Sequence, residues 1–520
     1  MKKLLVASVV AGLLSSAAFA QENNLKIAFA DNLSSLDPQL NNFAGDRSAG
    51  LFFFEMLVAN YHNKLLPALA TEWKNVDPNT WELTLREGVE WSDGQPFVAE
   101  DVVYSIERIR QVPGSVAPFT GYVRTIEAVN IKDGNVLEIK TNIPNPDLPL
   151  NLASVPIVSK HATEKAGSED FNSGKALVGT GPYTLVSYTP GERLVAQKNP
   201  SYWGEAPIWD QVDYIYTANA ASRTAALLSG DVDVIDKVSV SDLPRLEKDD
   251  KVDVFAYNGL RVFLLQPSFN SEPNAFIKDK AGKPLDKNPL LDSRVREALS
   301  LAINREAIAD RILQGGVTVA SQWMPEGSIG YNPDVPAIPF DAERAKALLA
   351  EAGYPEGFEL TVHVPTDRYP LAPETVQAVA QFWARIGVKT NVEVVPWAVY
   401  SSTARKNEYA MSVIAWGNGT GEASYAMVNI LATPNPEAGL GASNWGHYSS
   451  EKLDTSLKAV TAEFDPAKRD ALMQEAAQIV SEEVGVIPLF HYKNIWAAKK
   501  GLEVQPLSSD RTVPQMVTQK

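Results

Sequence analysis

The chain has 520 residues, 45% of them hydrophobic and 21% charged, a length beyond what one hydrophobic core supports and a composition that excludes global disorder. Its 63 Asp and Glu outnumber its 47 Lys and Arg, and the net charge of −16 argues against nucleic acid or an anionic membrane as partner. A small anionic ligand stays open, because a cleft can hold arginines inside an acidic shell.

Residues 1–20 read as a secretory signal peptide: Lys2 and Lys3, an apolar stretch from Leu4 to Leu14, then Ala18-Phe19-Ala20 before Gln21. That stretch is shorter than the ~20 residues that span a bilayer, and no later one is long enough. With zero cysteines there is no disulfide framework, thiolate metal site, cysteine nucleophile or lipid-attachment cysteine. The expectation is a mature protein cleaved after Ala20, diffusing in a Gram-negative periplasm without direct membrane insertion.

A strand is predicted over Asn24 to Ala30, followed by the loop Leu36 to Phe43. Trp81 to Leu85 alternates with period two and meets the turn Trp91-Ser92-Asp93-Gly94-Gln95-Pro96. Glu100 to Arg110 switches to helical spacing, with Val102, Val103, Ile106 and Ile109 on one stripe. Glu247 to Lys251 reads as a solvated turn. Asp341 caps a helix that Gly353 and Pro355 end; Pro373 opens another carrying Val376, Val379, Trp383 and Ile386; a third covers Ala467 to Glu483. Strands are predicted at Leu360 to Val364, Lys389 to Val395, Met411 to Trp416 and Val486 to His491. The result is a mixed α/β chain. It has no Pro/Gly/Ser linker, so its lobes should share hinges rather than tethers.

Catalytic signatures are missing. There is no G-x-S-x-G elbow, phosphate-binding loop or H-E-x-x-H pair, and the five histidines lack metal-ligand spacing. Gly417-Asn418-Gly419-Thr420-Gly421 lacks the last glycine of a dinucleotide fingerprint and the helix-opening context that would support one. Neither an enzyme nor a resident cofactor or metal is expected. What stands out is aromatic: Phe43, Tyr369, Trp397, Trp416 and Trp445 lie near Arg368, Asn418, Thr420 and Asn444, a composition suited to sandwiching a solute and orienting it with a few polar groups.

The run from Trp81 to Ser105 resembles the signature of the family 5 extracellular solute-binding proteins, the oligopeptide, dipeptide and nickel-binding class of ABC importers. Matches continue in order: Gly179-Thr180-Gly181-Pro182-Tyr183, Asn199 to Gly204, Arg223 with Leu227 to Asp233, Val295 to Arg305, and Ala347 to Tyr354. The 179–183 and 199–203 blocks read as turns and packing rather than site.

The resemblance implies an α/β, type II-like periplasmic binding protein (cluster C-like), with two large lobes, an inserted small lobe and ligand in the interlobe cleft. It places lobe I at 21–64, 174–266 and 487–520, lobe II at 65–173 and lobe III at 267–486, with crossing strands near Leu264 and Pro488. It also implies a small-molecule ligand, an inner-membrane ABC permease as partner and a monomer.

Peptide-binding relatives carry an aspartate for the ligand's amino terminus where this chain has Gly419. Unless Glu422 takes over, the ligand expected is a modified peptide, a glutathione-like molecule or a sugar or opine conjugate. Arg368 and Tyr369 match the region where dipeptide-binding relatives hold a ligand carboxylate, and Arg261 adds a second positive charge. Asn41, Phe43 and Tyr122 are the expected contributors from the opposite lobe. The competing readings are a di- or oligopeptide binder using Glu422, a chaperone or signalling receptor on the same fold, and a secreted hydrolase.

Overall fold

The computed structural model describes residues 23–62, 64–366 and 368–520; the expected leader and its cleavage point lie outside the described residues. One nine-stranded sheet organises the molecule, in the order Met411–Gly417, Val252–Pro267, Ile487–Lys499, Val234–Ile235, Asn24–Phe29, Gln211–Tyr216, Arg193–Lys198 and Tyr183–Thr189, with Val317–Val319 added against Ile487–Lys499.

Two long antiparallel strands carry this sheet from one lobe to the other. Val252 to Asn258 pair with Lys499 to Lys493, and Val262 to Leu265 pair with His491 to Ile487. Between the two stretches the register breaks, because four steps along one strand face two along the other. Such a bulge bends a strand and loosens its ladder. Gly259 lies within it, and a Cβ there would stand 2.5 Å from the Tyr492 carbonyl oxygen. Leu264 faces Pro488 just beyond the break. The strand anticipated over Val486 to His491 is thus much longer, since it continues through the hinge to Lys499.

The inserted lobe is built on an antiparallel sheet of Ala70–Asp77, Thr80–Leu85, Val136–Thr141 and Ile126–Asp133. Alternation buries Trp81, Leu83 and Leu85 against Val102 and Ile106 of the helix Ala99–Ile109. In the third lobe, Asp341 caps Ala342–Glu351 by accepting from the Arg344 N–H at 2.8 Å, and Asp465 caps Pro466–Glu483 through the Lys468 N–H at 3.0 Å. The helix Ala372–Ala384 turns Val376, Val379 and Trp383 into the core, where the Trp383 indole donates to the Leu299 carbonyl at 2.8 Å.

The glycine-rich turn before Tyr183 packs on the end of the helix Ala44–Phe53. A Cβ on Gly179 would stand 1.8 Å from the Phe53 carbonyl oxygen. Asn199 donates to the Gly181 carbonyl at 2.9 Å, and the Trp203 indole to Glu55 at 2.6 Å. These contacts give both blocks packing roles.

Candidate functional site

The bulge opens onto a cavity of about 180 Å³ at the junction of the lobes. Its walls come from distant parts of the chain. The helix Ala44–Phe53 supplies Arg47, the hinge supplies Leu260 and Arg261, the C-terminal loop supplies Asp510 and Arg511, the inserted lobe supplies Tyr122, and the third lobe supplies Asn418, Gly419 and Tyr425. A neighbouring cavity of about 240 Å³ shares Asn42, Tyr122 and Tyr425 and extends along the cleft between the inserted and third lobes. A cavity of about 290 Å³ also lies among Trp323, Ile338 and Val480, but all its walls belong to the third lobe and its hinge strand, so closure does not complete it.

Each wall residue is held by local bonds. Asn418 shapes its loop: Oδ1 accepts from the N–H groups of Thr420 and Gly421, each at 3.0 Å, while Nδ2 donates to the Glu422 carbonyl at 2.8 Å. The Thr420 carbonyl accepts from Asn60 across the junction at 3.0 Å. Arg261 donates through Nη1 to the Ala415 carbonyl at 3.0 Å, and its Nη2 stands 3.5 Å from Asp510 Oδ2. Burial pushes the Asp510 carboxyl up, but the charges of Arg261, Lys237 and Arg47 outweigh it and hold the group below its usual range. Asn494 fastens the loop above by donating to the carbonyls of Leu507, Ser508 and Ser509. Trp416 packs on Tyr425 with ring centroids 5.3 Å apart. Burial, followed by the neighbouring Tyr122, pushes the Tyr425 hydroxyl well up, so it remains a neutral hydrogen-bonding group.

Met411–Gly417 is the edge strand of the large sheet, a position where an extended chain can add by backbone pairing. Side chains cover part of that edge. Tyr400 Oη accepts from the Val413 N–H at 2.6 Å and donates to its carbonyl at 2.8 Å, while Tyr369 accepts from the Ala415 N–H and Arg261 occupies the Ala415 carbonyl.

The structure divides the thirteen anticipated residues into groups. Tyr122, Arg261 and Asn418 meet at the hinge cavity, and Thr420 lines the adjoining one. Trp416 backs the cavity through Tyr425. Arg368, Tyr369, Trp397 and Trp445 form an aromatic group in the third lobe that adjoins Arg261, since Tyr369 and Arg261 bond the N–H and the carbonyl of the same Ala415. There the exposed Arg368 guanidinium lies 5.2 Å from the Trp397 ring, and Trp397 and Trp445 have centroids 6.0 Å apart. Tyr369 is buried against Phe263. Asn41 and Asn444 serve the backbone: Asn41 accepts from the Val116 and Ala117 N–H groups, and Asn444 donates to the carbonyls of Ala432 and Tyr448. Phe43 is exposed at the start of its helix.

Glu422 is committed elsewhere. Its carboxylate accepts from Arg469 Nε at 2.7 Å, and Arg469 Nη2 donates in turn to Asp147 of the inserted lobe at 2.5 Å. Burial pushes Glu422 up to about 8, with Asp147 adding to the shift and Arg469 opposing it. Two carboxylates sharing one guanidinium across the cleft form a latch between lobes.

Arg47, Asp510, Arg511 and Tyr425 were not anticipated. No local pattern marks them, since Arg47 sits in an ordinary helix and residues 510–511 in a terminal loop. Among the described residues no group of three or more His, Asp or Glu is placed to hold a metal ion, and no helix is long and apolar enough to cross a membrane.

The comparisons with known proteins agree on the fold and family. The model for "Bacterial extracellular solute-binding proteins, family 5 Middle" matches residues 64–438. The dipeptide-binding protein of Escherichia coli K12 is 28% identical over 85% of this chain and 84% of its own length. The glutathione-binding protein GsiB of the same organism is 27% identical over 96% and 94%. The solved structure of HbpA2 from Haemophilus parasuis superposes with a TM-score of 0.83 and 26% identity, covering 96% of this chain and all of that one. The chain belongs to family 5 of the bacterial extracellular solute-binding proteins.

Proposed function

We propose that the protein is the periplasmic substrate-binding component of an ABC importer, capturing a small polar organic solute by hinge closure and presenting it to an inner-membrane permease. The hinge cavity carries this reading. Its walls come from all three lobes beside a bulge in the crossing strands, so only the closed form completes it. A ligand that touches all the walls stabilises that form and shifts the population toward it.

The solute class we favour is a modified peptide, a glutathione-like molecule or a sugar or opine conjugate. A plain peptide needs a carboxylate for its ammonium group. Gly419 has none, and Glu422 faces Arg469. The partly covered edge of Met411–Gly417 also disfavours backbone pairing with an extended peptide. Similarity to the glutathione-binding relative fits this class. We assign lobe I to 21–64, 174–266 and 487–520, lobe II to 65–173 and lobe III to 267–486. We further assign leader cleavage after Ala20, a monomeric mature chain and no catalytic step.

Native mass spectrometry of the purified protein, followed by denaturation, tests the reading by releasing any bound solute intact. Adding that solute back at a hundred times its dissociation constant should stabilise the protein by ~2.7 kcal/mol, and X-ray scattering should show compaction. A chemically altered solute, or binding without compaction, would refute it.

A further inference from the structure

The hinge cavity carries an imbalance of charge. Arg47, Arg261 and Arg511 line it against a single carboxylate, Asp510. The Arg47 side chain donates to the neutral Ser154 hydroxyl at 3.2 Å, and among the described residues neither Arg47 nor Arg511 forms an ion pair. Closing two lobes over such charges is costly unless something of opposite charge enters with them. Guanidinium groups meet carboxylate and phosphate oxygens through paired hydrogen bonds, so both chemistries suit this wall.

Gly419 maintains the imbalance. A Cβ here would stand 3.8 Å from Arg47 Nη1 and 3.2 Å from Tyr122 Oη, so an acidic side chain at this point would face Arg47 and neutralise it. The backbone does not demand glycine, since Gly419 is not among the residues of positive φ. Its effect on the site is to leave Arg47 facing the cavity.

Resting on the transport reading above, we infer that the ligand carries at least two acidic groups and a net negative charge, that Arg47, Arg261 and Arg511 bind them, and that Gly419 sets this specificity. Asp510 leaves room for one basic group beside the acids. Tyr122, Tyr425 and Asn494 supply neutral groups that orient the rest of the molecule.

Isothermal titration of the full mature chain tests the inference. The acid-bearing probes are glutathione, a dicarboxylic sugar–amino-acid opine and a sugar bisphosphate; the controls are glutathione monoethyl ester and trialanine. At least one acid-bearing probe should bind at least tenfold more tightly than both controls, and added salt should weaken it. Which probe binds separates the carboxylate source from the phosphate source. Arg47→Gln and Gly419→Asp should each weaken that probe at least tenfold. Thermal melting of each variant checks that it folds. The inference is overturned if no acid-bearing probe binds, if a control binds equally well, or if both Arg47→Gln and Gly419→Asp leave the affinity unchanged. A neutral solute that co-purifies and compacts the protein would overturn the charge inference and leave the transport reading standing. Compaction by neither probes nor co-purified solute would overturn both.

Discussion

Asp147→Asn separates lobe closure from folding. In the proposed lobe assignment Arg469 and Glu422 belong to the third lobe and Asp147 to the inserted lobe, so the Arg469–Asp147 contact bridges the cleft and is expected to part when it opens. Truncating one partner of a buried charge pair costs about 2–5 kcal/mol. Arg469 keeps Glu422 in the variant, and the Asp147 side chain is 25% exposed, so the lower end applies. About 2 kcal/mol corresponds to about a 30-fold loss of ligand affinity. The latch also couples closure to protons. Burial raises the Glu422 pKa and Asp147 raises it further, so bringing Asp147 to Glu422 favours the protonated acid and closure is favoured as pH falls, an advantage lost as pH rises. Titration calorimetry with the co-purified solute at several pH values, on wild type and variant, measures both effects. The variant should bind more weakly and with a flatter pH dependence, while its ligand-free melting temperature stays near wild type. Affinity within twofold of wild type, or an equal loss of stability without ligand, would show that the contact does not act on closure.

Gly259→Ala places a Cβ 2.5 Å from the Tyr492 carbonyl oxygen, so it should lower the melting temperature and weaken ligand-induced compaction; wild-type values for both would remove the bulge from the hinge mechanism. Trp383→Ala removes a fully buried side chain and its bond to the Leu299 carbonyl, and should destabilise the third lobe by about 3–5 kcal/mol in chemical denaturation. Glu55 is pushed up to about 6 by burial, against the bonds it accepts from Trp203 and Tyr202. An acid with a raised pKa holds its proton longer in the folded state, so stability should rise as pH falls through about 6 toward 4.5, and Glu55→Gln should abolish that slope in melting curves. An identical slope in the variant would assign it to another group.

Much of the local architecture was legible in the residue pattern. The alternation at Trp81 to Leu85, the helical stripe from Glu100, the cap at Asp341 and the helix from about Ala467 each depend on neighbours a few positions apart, and the structure forms them nearly where the pattern places them. The ordered family motifs likewise pointed to the solute-binding fold, and the absence of cysteine ruled out a disulfide framework. The candidate site was only partly legible. Tyr122, Arg261 and Asn418 meet at the hinge cavity, while Arg368 and Trp397 belong to the adjoining aromatic group of Tyr369.

Only the tertiary structure could bring Arg47 and Arg511 to one cavity, or give Glu422 and Asp147 a shared arginine. Those partners are tens to hundreds of residues apart, and which carboxylate meets which guanidinium depends on how the lobes pack. Short-range periodicity and capping act through backbone geometry within a few residues, so they can be read along the chain. Charge pairing across a cleft depends on distance in space, which chain order alone leaves open.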